Sequence, residues 1–177
     1  MPASSGVFGP GEIRNPWALL ASASQALEQL AVELRTNMPR LVASLLGETP
    51  STVSNCPDIG DVDITCRMLE SLGCVVERND GNVTVDPVPL SSSRVPLTFS
   101  GMNRIPILMV GPLLHKVGEA FVPLVGGDLI GSRPIDFHVE ALTRMGAEVQ
   151  ITADGLEAKA SRLRGAHIEL PYPSVGA

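Results

Sequence analysis

Aromatic rings are scarce in this chain. Phe, Trp and Tyr make up 3% of its 177 residues, so any core must be assembled from Leu, Val, Ile, Ala and Met. Basic residues are in the minority, 13 Lys and Arg against 19 Asp and Glu. The resulting net charge of −6 argues against nucleic acid as the main partner, because phosphate backbones are bound by basic faces. A small anion held by one or two local arginines stays compatible with it. No apolar run reaches the roughly 18 residues that a membrane-spanning helix needs. The N-terminus, MPASSGVFGPGEIRNP, has no basic region followed by an apolar stretch, so no secretory leader is expected. Cys56, Cys66 and Cys74 form an odd set without Cys-x-x-Cys spacing. That disfavours a disulfide framework or a zinc site and predicts reduced, half-buried thiols and no bound metal. A soluble cytoplasmic protein is expected.

What the chain does have is aliphatic content. At 44% hydrophobic and 18% charged it is able to bury a core of one domain, with or without an extension. Residues 1–14 read as a loose tail. Asn15-Pro16 reads as a helix cap followed by proline at the first helical position, and apolar residues from Leu19 to Leu34 share one helical face. Pro39 interrupts that pattern, and a second helical run over Leu41–Leu46 stops at Gly47.

Beyond Pro50 the texture changes. The expected elements are a short strand at Ser51–Ser54, a helix over Asp61–Leu72 stopping at Gly73, a strand at Cys74–Glu77, a turn at Asn79–Asn82 and a return strand at Val83–Val85. Residues 86–100 read as a loop with at most one strand. Ile105–Val117 has helical length, with Pro106 and Pro112 at its start or at kinks. The pattern then returns with a strand at Ala120–Val125, a helix over Pro134–Met145 stopping at Gly146, a strand at Glu148–Thr152, a turn at Asp154-Gly155 and a strand at Leu156–Ala160. A single offset lays Val62-Asp63 on Ile135-Asp136, Leu69 on Leu142 and Leu72-Gly73 on Met145-Gly146. That period is too long for a solenoid and fits duplicated subdomains.

The segment LVGGDLIGSRPIDFHVEAL, 124–142, lies between the strand and the helix of the second copy. It puts Asp128 behind two glycines and Arg133 ahead of Pro134 at a helix start. A guanidinium offers donors in a fixed fork suited to phosphate or carboxylate, and a helix start adds positive potential for an anion. Read from the residues alone, a plainer account stays open: an Asp beside Gly commonly closes a turn, and an arginine there commonly faces solvent.

The segments N55-CPDIGDVD-63, L69-ESLGCVVERN-79, G111-PLL-114, G126-GDLIGSRPIDFH-138, L142-TRMGAEV-149 and G165-AHIELPYPSVGA-177 together resemble the enolpyruvyl transferases, from about Pro39 to the last residue. The resemblance implies an α+β fold of repeated helix–strand–strand subdomains, a fragment of an inside-out α/β barrel. It divides the chain into a divergent tail and helix, 1–34, and a partial transferase domain, 35–177, with repeats at about 50–100 and 120–170. It also implies the chemistry. The enolpyruvyl group of phosphoenolpyruvate would pass to the 3-hydroxyl of UDP-N-acetylglucosamine, a step of cell-wall precursor synthesis, with no cofactor. The proton donor to the methylene carbon falls at Asp128, where the family usually has cysteine; a carboxyl serves as an acid if desolvation raises its pKa. Substrate contacts fall at Arg104, Arg133, Pro134, Ile135, Asp136 and Phe137, and at Tyr172, Pro173, Ser174, Val175 and Gly176. Asp136 would accept from a uracil N–H. His138 matches a family position but is assigned no chemistry, and His115 and His167 have no partner by spacing.

Two departures stand out. The family's Lys-Asn turn is occupied by Leu34-Arg35, and the family's catalytic base belongs to a second half that the sequence does not contain. A longer product or a second chain would have to supply that half. The alternatives are a non-catalytic module that binds the UDP-sugar and an enolpyruvyl transferase with another acceptor.

Overall fold

A computed structural model describes residues 36–126 and 135–172, all of which belong to one compact unit spanning Glu33–Ala177. The expected tail and the helix over 15–34 lie outside the described residues. Helix α1 is described over 36–43 and continues into a 3-10 turn, Ser44–Leu46. Pro39 lies within the described helix on its exposed side, and the upstream pattern it is expected to interrupt lies outside the described residues. Then follow β1 (Ser51–Val53), α2 (Gly60–Ser71), β2 (Val75–Asn79), β3 (Asn82–Asp86), α3 (Pro106–Val117), β4 (Glu119–Pro123), α4 (Asp136–Arg144), β5 (Glu148–Ile151) and β6 (Gly155–Lys159).

The fold is α+β, and the same unit occurs twice. Helix, strand, helix, strand and strand run from α1 to β3 and again from α3 to β6. The two sheets have the orders β1-β3-β2 and β4-β6-β5, every neighbouring pair antiparallel. The last strand of each unit is therefore central, and its two flanking strands run parallel to each other. Parallel strands cannot be joined by a tight turn and need a crossover helix. α2 and α4 are those crossovers.

Both crossover helices stop in the same way. Gly73 and Gly146 sit at φ +99° and +95°, a backbone region that costs glycine nothing. In the first copy Gly73 N–H donates to Glu70 O and Cys74 N–H to Leu69 O; in the second, Gly146 N–H donates to Thr143 O and Ala147 N–H to Leu142 O. The offset seen in the sequence carries each bond of the first copy onto its counterpart in the second. Each helix packs one apolar stripe inward: Val62, Cys66, Met68 and Leu69 from α2, and Leu142 with half-buried Val139 from α4.

α3 is buried on more sides. Ile107, Met109, Val110, Leu113 and Leu114 are 0–4% exposed, and the helix packs on β4, β6 and the 3-10 turn. Pro106 is its first residue and Pro112 lies within it. Gly118, at φ +80°, caps it by donating to Leu114 O. Lys116 Nζ reaches Gly47 O at 2.6 Å, which ties the ends of α1 and α3 together. The loop after β3 also takes part in the second sheet. Arg94 forms a parallel bridge with Phe121, its guanidinium lies 4.2 Å from the Phe121 ring centre, and it pairs with Glu157 at 3.3 Å.

The two hairpins differ. Asp80-Gly81 is a two-residue turn with φ of +46° and +74°, the type that follows strand twist. The Asp154-Gly155 turn expected from the sequence is not of that kind. Gly155 is the first residue of β6 and pairs with Pro123. Thr152 closes the connection: its N–H donates to Gly155 O at 2.8 Å, and Gly155 N–H donates to Thr152 Oγ1 at 3.2 Å. A Cβ on Gly155 would run into the carbonyl of Val122 and come within 2.9 Å of Pro123 Cα. This glycine allows close approach of two strands rather than a reversed turn.

Gly155→Ala is expected to destabilise the protein by about 1–3 kcal/mol through this overlap. Gly111→Ala, inside α3 with nothing within 4 Å of the new methyl, is expected to be neutral or to stabilise by up to about 1 kcal/mol. Urea unfolding of both variants checks the pair.

Candidate functional site

The two units differ most where a strand passes into a crossover helix. In the first unit residues 54–59 make the connection; in the second it runs over 124–135. The longer connection carries the Gly-Gly-Asp and Ser-Arg-Pro motifs. Asp128, Arg133 and Pro134 lie in it, outside the described residues. Pro173, Ser174, Val175 and Gly176 also lie outside them. Arg104, Ile135, Asp136, Phe137 and Tyr172 are described.

The entry to this connection is fixed by backbone contact. Gly101 N–H donates to Leu124 O at 3.0 Å, and Gly126 N–H to Asn103 O at 2.9 Å. A Cβ on Gly126 would collide with the Gly101 carbonyl and lie 2.6 Å from Gly101 Cα, so only glycine lets the two segments touch. Gly101 itself has φ +74°. Asn103, 8% exposed, donates from Nδ2 to Asp61 Oδ1 at 3.2 Å and accepts on Oδ1 from Ile105 N–H at 3.1 Å. Asp61 is in the first turn of α2. The N-terminal ends of α2 and α3 and the start of the long connection thus meet at one residue.

Arg104 follows directly and is half-buried. It lies near His138 in the first turn of α4. Burial, and then the Arg104 charge, hold the His138 imidazole below its ordinary pKa of 6.5. Next to His138, Phe137 meets Tyr172 edge to face, with ring centres 5.1 Å apart and planes at 61°. The first turn of α4 therefore gathers an arginine from the approach to α3 and a tyrosine from beyond the last strand. Asp136 is exposed in that turn, while Ile135 packs on the core. A cation, an exposed carboxylate and an aromatic pair at a helix start suit a ligand that carries an anion and a flat polar ring.

Other chemistry is remote from this surface. The three thiols are buried rather than half-buried, at 8%, 2% and 5% exposure for Cys56, Cys66 and Cys74. Burial raises the pKa of all three, to about 11 for Cys66 and Cys74. They are poor nucleophiles. Among the described residues no His, Cys, Asp or Glu cluster has metal-binding geometry, and no helix is long and apolar enough to cross a membrane. A cleft of about 650 Å³ at the far end of α3, lined by His115, Lys116, Glu148 and Lys159, does not touch Arg104 or α4. Nor does a second cleft of about 250 Å³ beside Arg78.

Asn103 and Asp61 are not among the residues expected from the sequence. The signal for Asn103 is Asn-x-x-Pro, an asparagine whose side chain closes a turn on Ile105 N–H just ahead of the proline that starts α3, and the arginine inside that motif overshadows it.

A sequence model of the family EPSP synthase (3-phosphoshikimate 1-carboxyvinyltransferase) matches residues 34–177. UDP-N-acetylglucosamine 1-carboxyvinyltransferase of Chlamydia pneumoniae is 46% identical over 141 residues, covering 77% of this chain and 31% of that protein. The enzyme of the same name from Nitratidesulfovibrio vulgaris is 40% identical over 139 residues, covering 78% and 33%. This chain thus spans about a third of the length of these relatives. The enolpyruvyl transferase NikO from Streptomyces tendae superposes with a TM-score of 0.63 at 20% identity, over 73% of this chain and 28% of that one. EPSP synthase from Acinetobacter baumannii gives 0.57 at 20% identity, over 78% and 33%. At that identity these two likenesses speak for the fold alone.

Two outcomes follow from the burial. Thiol reagents such as dithionitrobenzoate are expected to label the native chain slowly and to release three equivalents once it is denatured; fast native labelling would contradict the buried placement. For His138, a depressed folded pKa means that the unfolded state takes up the proton first as pH falls. Its contribution to stability is present above about 6.5 and is lost as pH falls through the lower folded pKa. His138→Gln is expected to flatten that part of the pH–stability curve, as read by denaturant unfolding on either side of that range.

Proposed function

The chain belongs to the EPSP synthase family of carboxyvinyltransferases, and from that membership we propose that it is part of an enzyme transferring the enolpyruvyl group of phosphoenolpyruvate to the 3-hydroxyl of UDP-N-acetylglucosamine. One observation carries the choice of acceptor: relatives at 40–46% identity bear that activity in their names. We read residues 35–177 as a partial transferase domain and 1–34 as a divergent extension. The enzyme would work in the cytoplasm and needs no cofactor for the step.

In this reading the C3 hydroxyl of the sugar attacks C2 of phosphoenolpyruvate while an acid protonates the C3 methylene. A tetrahedral adduct forms; phosphate then leaves C2 while a proton leaves the C3 methyl, which regenerates the double bond. Asp128 is the proton donor. Its carboxyl needs a raised pKa to hold the proton near neutrality. Arg133 and Arg104 face the phosphate and carboxylate charges, for which a guanidinium fork is suited. Asp136 accepts from the uracil N–H, and Ile135 and Phe137 flank the nucleotide beside Tyr172. Pro134 presets the helix start, and Pro173, Ser174, Val175 and Gly176 line the diphosphate. Support for this reading comes from Arg104, Phe137 and Tyr172 converging on the first turn of α4.

The base for the sugar hydroxyl is not among these residues. It would come from the part of the relatives that lies beyond this chain's match, on a longer chain or a second one. A second reading for the chain alone is a nucleotide-sugar-binding module without turnover.

Together with the remainder of the enzyme, the chain is expected to release phosphate from phosphoenolpyruvate only when UDP-N-acetylglucosamine is present. Asp128→Ala should lower turnover about a thousandfold, the usual weight of a general acid. Thiol-alkylating inhibitors should leave the activity intact. Saturable nucleotide-sugar binding by the chain without turnover would select the module, and inactivation by an alkylator bound at position 128 would sink the assignment.

A further inference from the structure

We propose that Asn103 is a positioning residue that sets Arg104 and the mouth of the 124–135 connection against the starts of α2 and α3. The proposal rests on the reading of Arg104 as a substrate-facing residue and goes beyond it, because Asn103 itself faces no ligand.

Asn103 is one of only four buried polar residues among those described, and its polar atoms serve three different elements. Nδ2 donates to Asp61 Oδ1 in the first turn of α2, Oδ1 accepts from Ile105 N–H ahead of α3, and the main-chain oxygen accepts from Gly126 N–H. A bond to a carboxylate is stronger than one between neutral groups. Losing it from the Asp61 side would leave the buried Asn103 amide without that partner, at a cost larger than the bond itself. Gly126 has no freedom to compensate, since it is already in backbone contact with Gly101. Rotation of the Asn103 peptide would therefore move both the Gly126 end of the connection and the root of the Arg104 side chain. A residue that meets three rigid elements fixes the direction of its neighbour more tightly than any surface contact could, and small displacements of a charged group at a reacting centre carry large penalties.

Asn103→Ser separates the roles. Serine still closes the turn on Ile105 N–H but is too short for Asp61. The exchanged pair, Asp61→Asn with Asn103→Asp, restores the bond with donor and acceptor reversed. Asp61→Ala cuts the same bond from the other side, so the decision does not hinge on one variant folding. Three readouts are taken on the 177-residue chain with circular dichroism as the folding control: amide exchange at Gly126, the His138 titration followed by NMR, and binding of UDP-N-acetylglucosamine. In Asn103→Ser, Gly126 exchange is expected to quicken about tenfold, the His138 pKa to rise toward 6.5 as Arg104 leaves, and binding to weaken about tenfold. The exchanged pair should recover all three. Unchanged exchange and titration in Asn103→Ser, or no recovery in the exchanged pair, would overturn the proposal. Absence of nucleotide-sugar binding by the parent chain would count against the functional reading alone, since exchange and titration still decide the role of Asn103.

Discussion

The described architecture depends on one backbone constraint, a glycine in the left-handed region directly after each crossover helix. Gly73 and Gly146 reverse the chain so abruptly that β2 and β5 start while the helix carbonyls are still being satisfied. Any other residue would pay the steric cost of that φ. At Gly73 it would also strike the linker, since a Cβ there would lie 2.9 Å from Pro89 O and Ser91 N. The tight reversal presses the apolar stripe of the helix onto its own sheet. It also explains why one constant offset relates the two copies from the helix onward: the geometry between helix and hairpin leaves no slack for insertions.

Upstream of the helix there is slack, and there the two copies diverge. The strand-to-helix connection doubles in length in the second unit, and the added residues carry the glycine-rich and arginine motifs. Connections between elements accept insertion at small entropic cost, so one copy of a duplicated unit is able to carry a longer segment there than the other. The backbone ladder between Gly101–Asn103 and Leu124–Gly126 fixes where that connection leaves β4.

Much of this was legible in the sequence, and the misses have physical causes. The helices α2, α3 and α4 were readable because glycine stops and apolar periodicity agree. The Asn-Asp-Gly-Asn hairpin was readable because a type I′ turn demands residues tolerant of positive φ. Asp154-Gly155 misled because glycine serves two purposes, reversed turns and close strand approach, and the dipeptide does not distinguish them. The cysteines were judged by spacing, which says nothing about depth. At the candidate site, Arg104 and the α4 start are proposed from family motifs. Asn103 is not, because a joint between three elements leaves no local pattern beyond an asparagine that closes a turn ahead of a helix.

The bridge between Arg94 and Phe121 bears on how such a chain divides. The linker that leaves the first sheet does not merely travel to the second; it becomes its outermost rung, with Val95 N–H donating to Phe121 O and Phe121 N–H to Ser93 O. The second unit thus borrows its border from the stretch before it. A cut placed between the units by element boundaries, ahead of α3, would leave β4 with a bare edge and an aromatic ring stripped of its guanidinium cover. The seam lies earlier, between Ser92, whose N–H donates to Leu72 O of the first unit, and Ser93, which accepts from Phe121 N–H of the second.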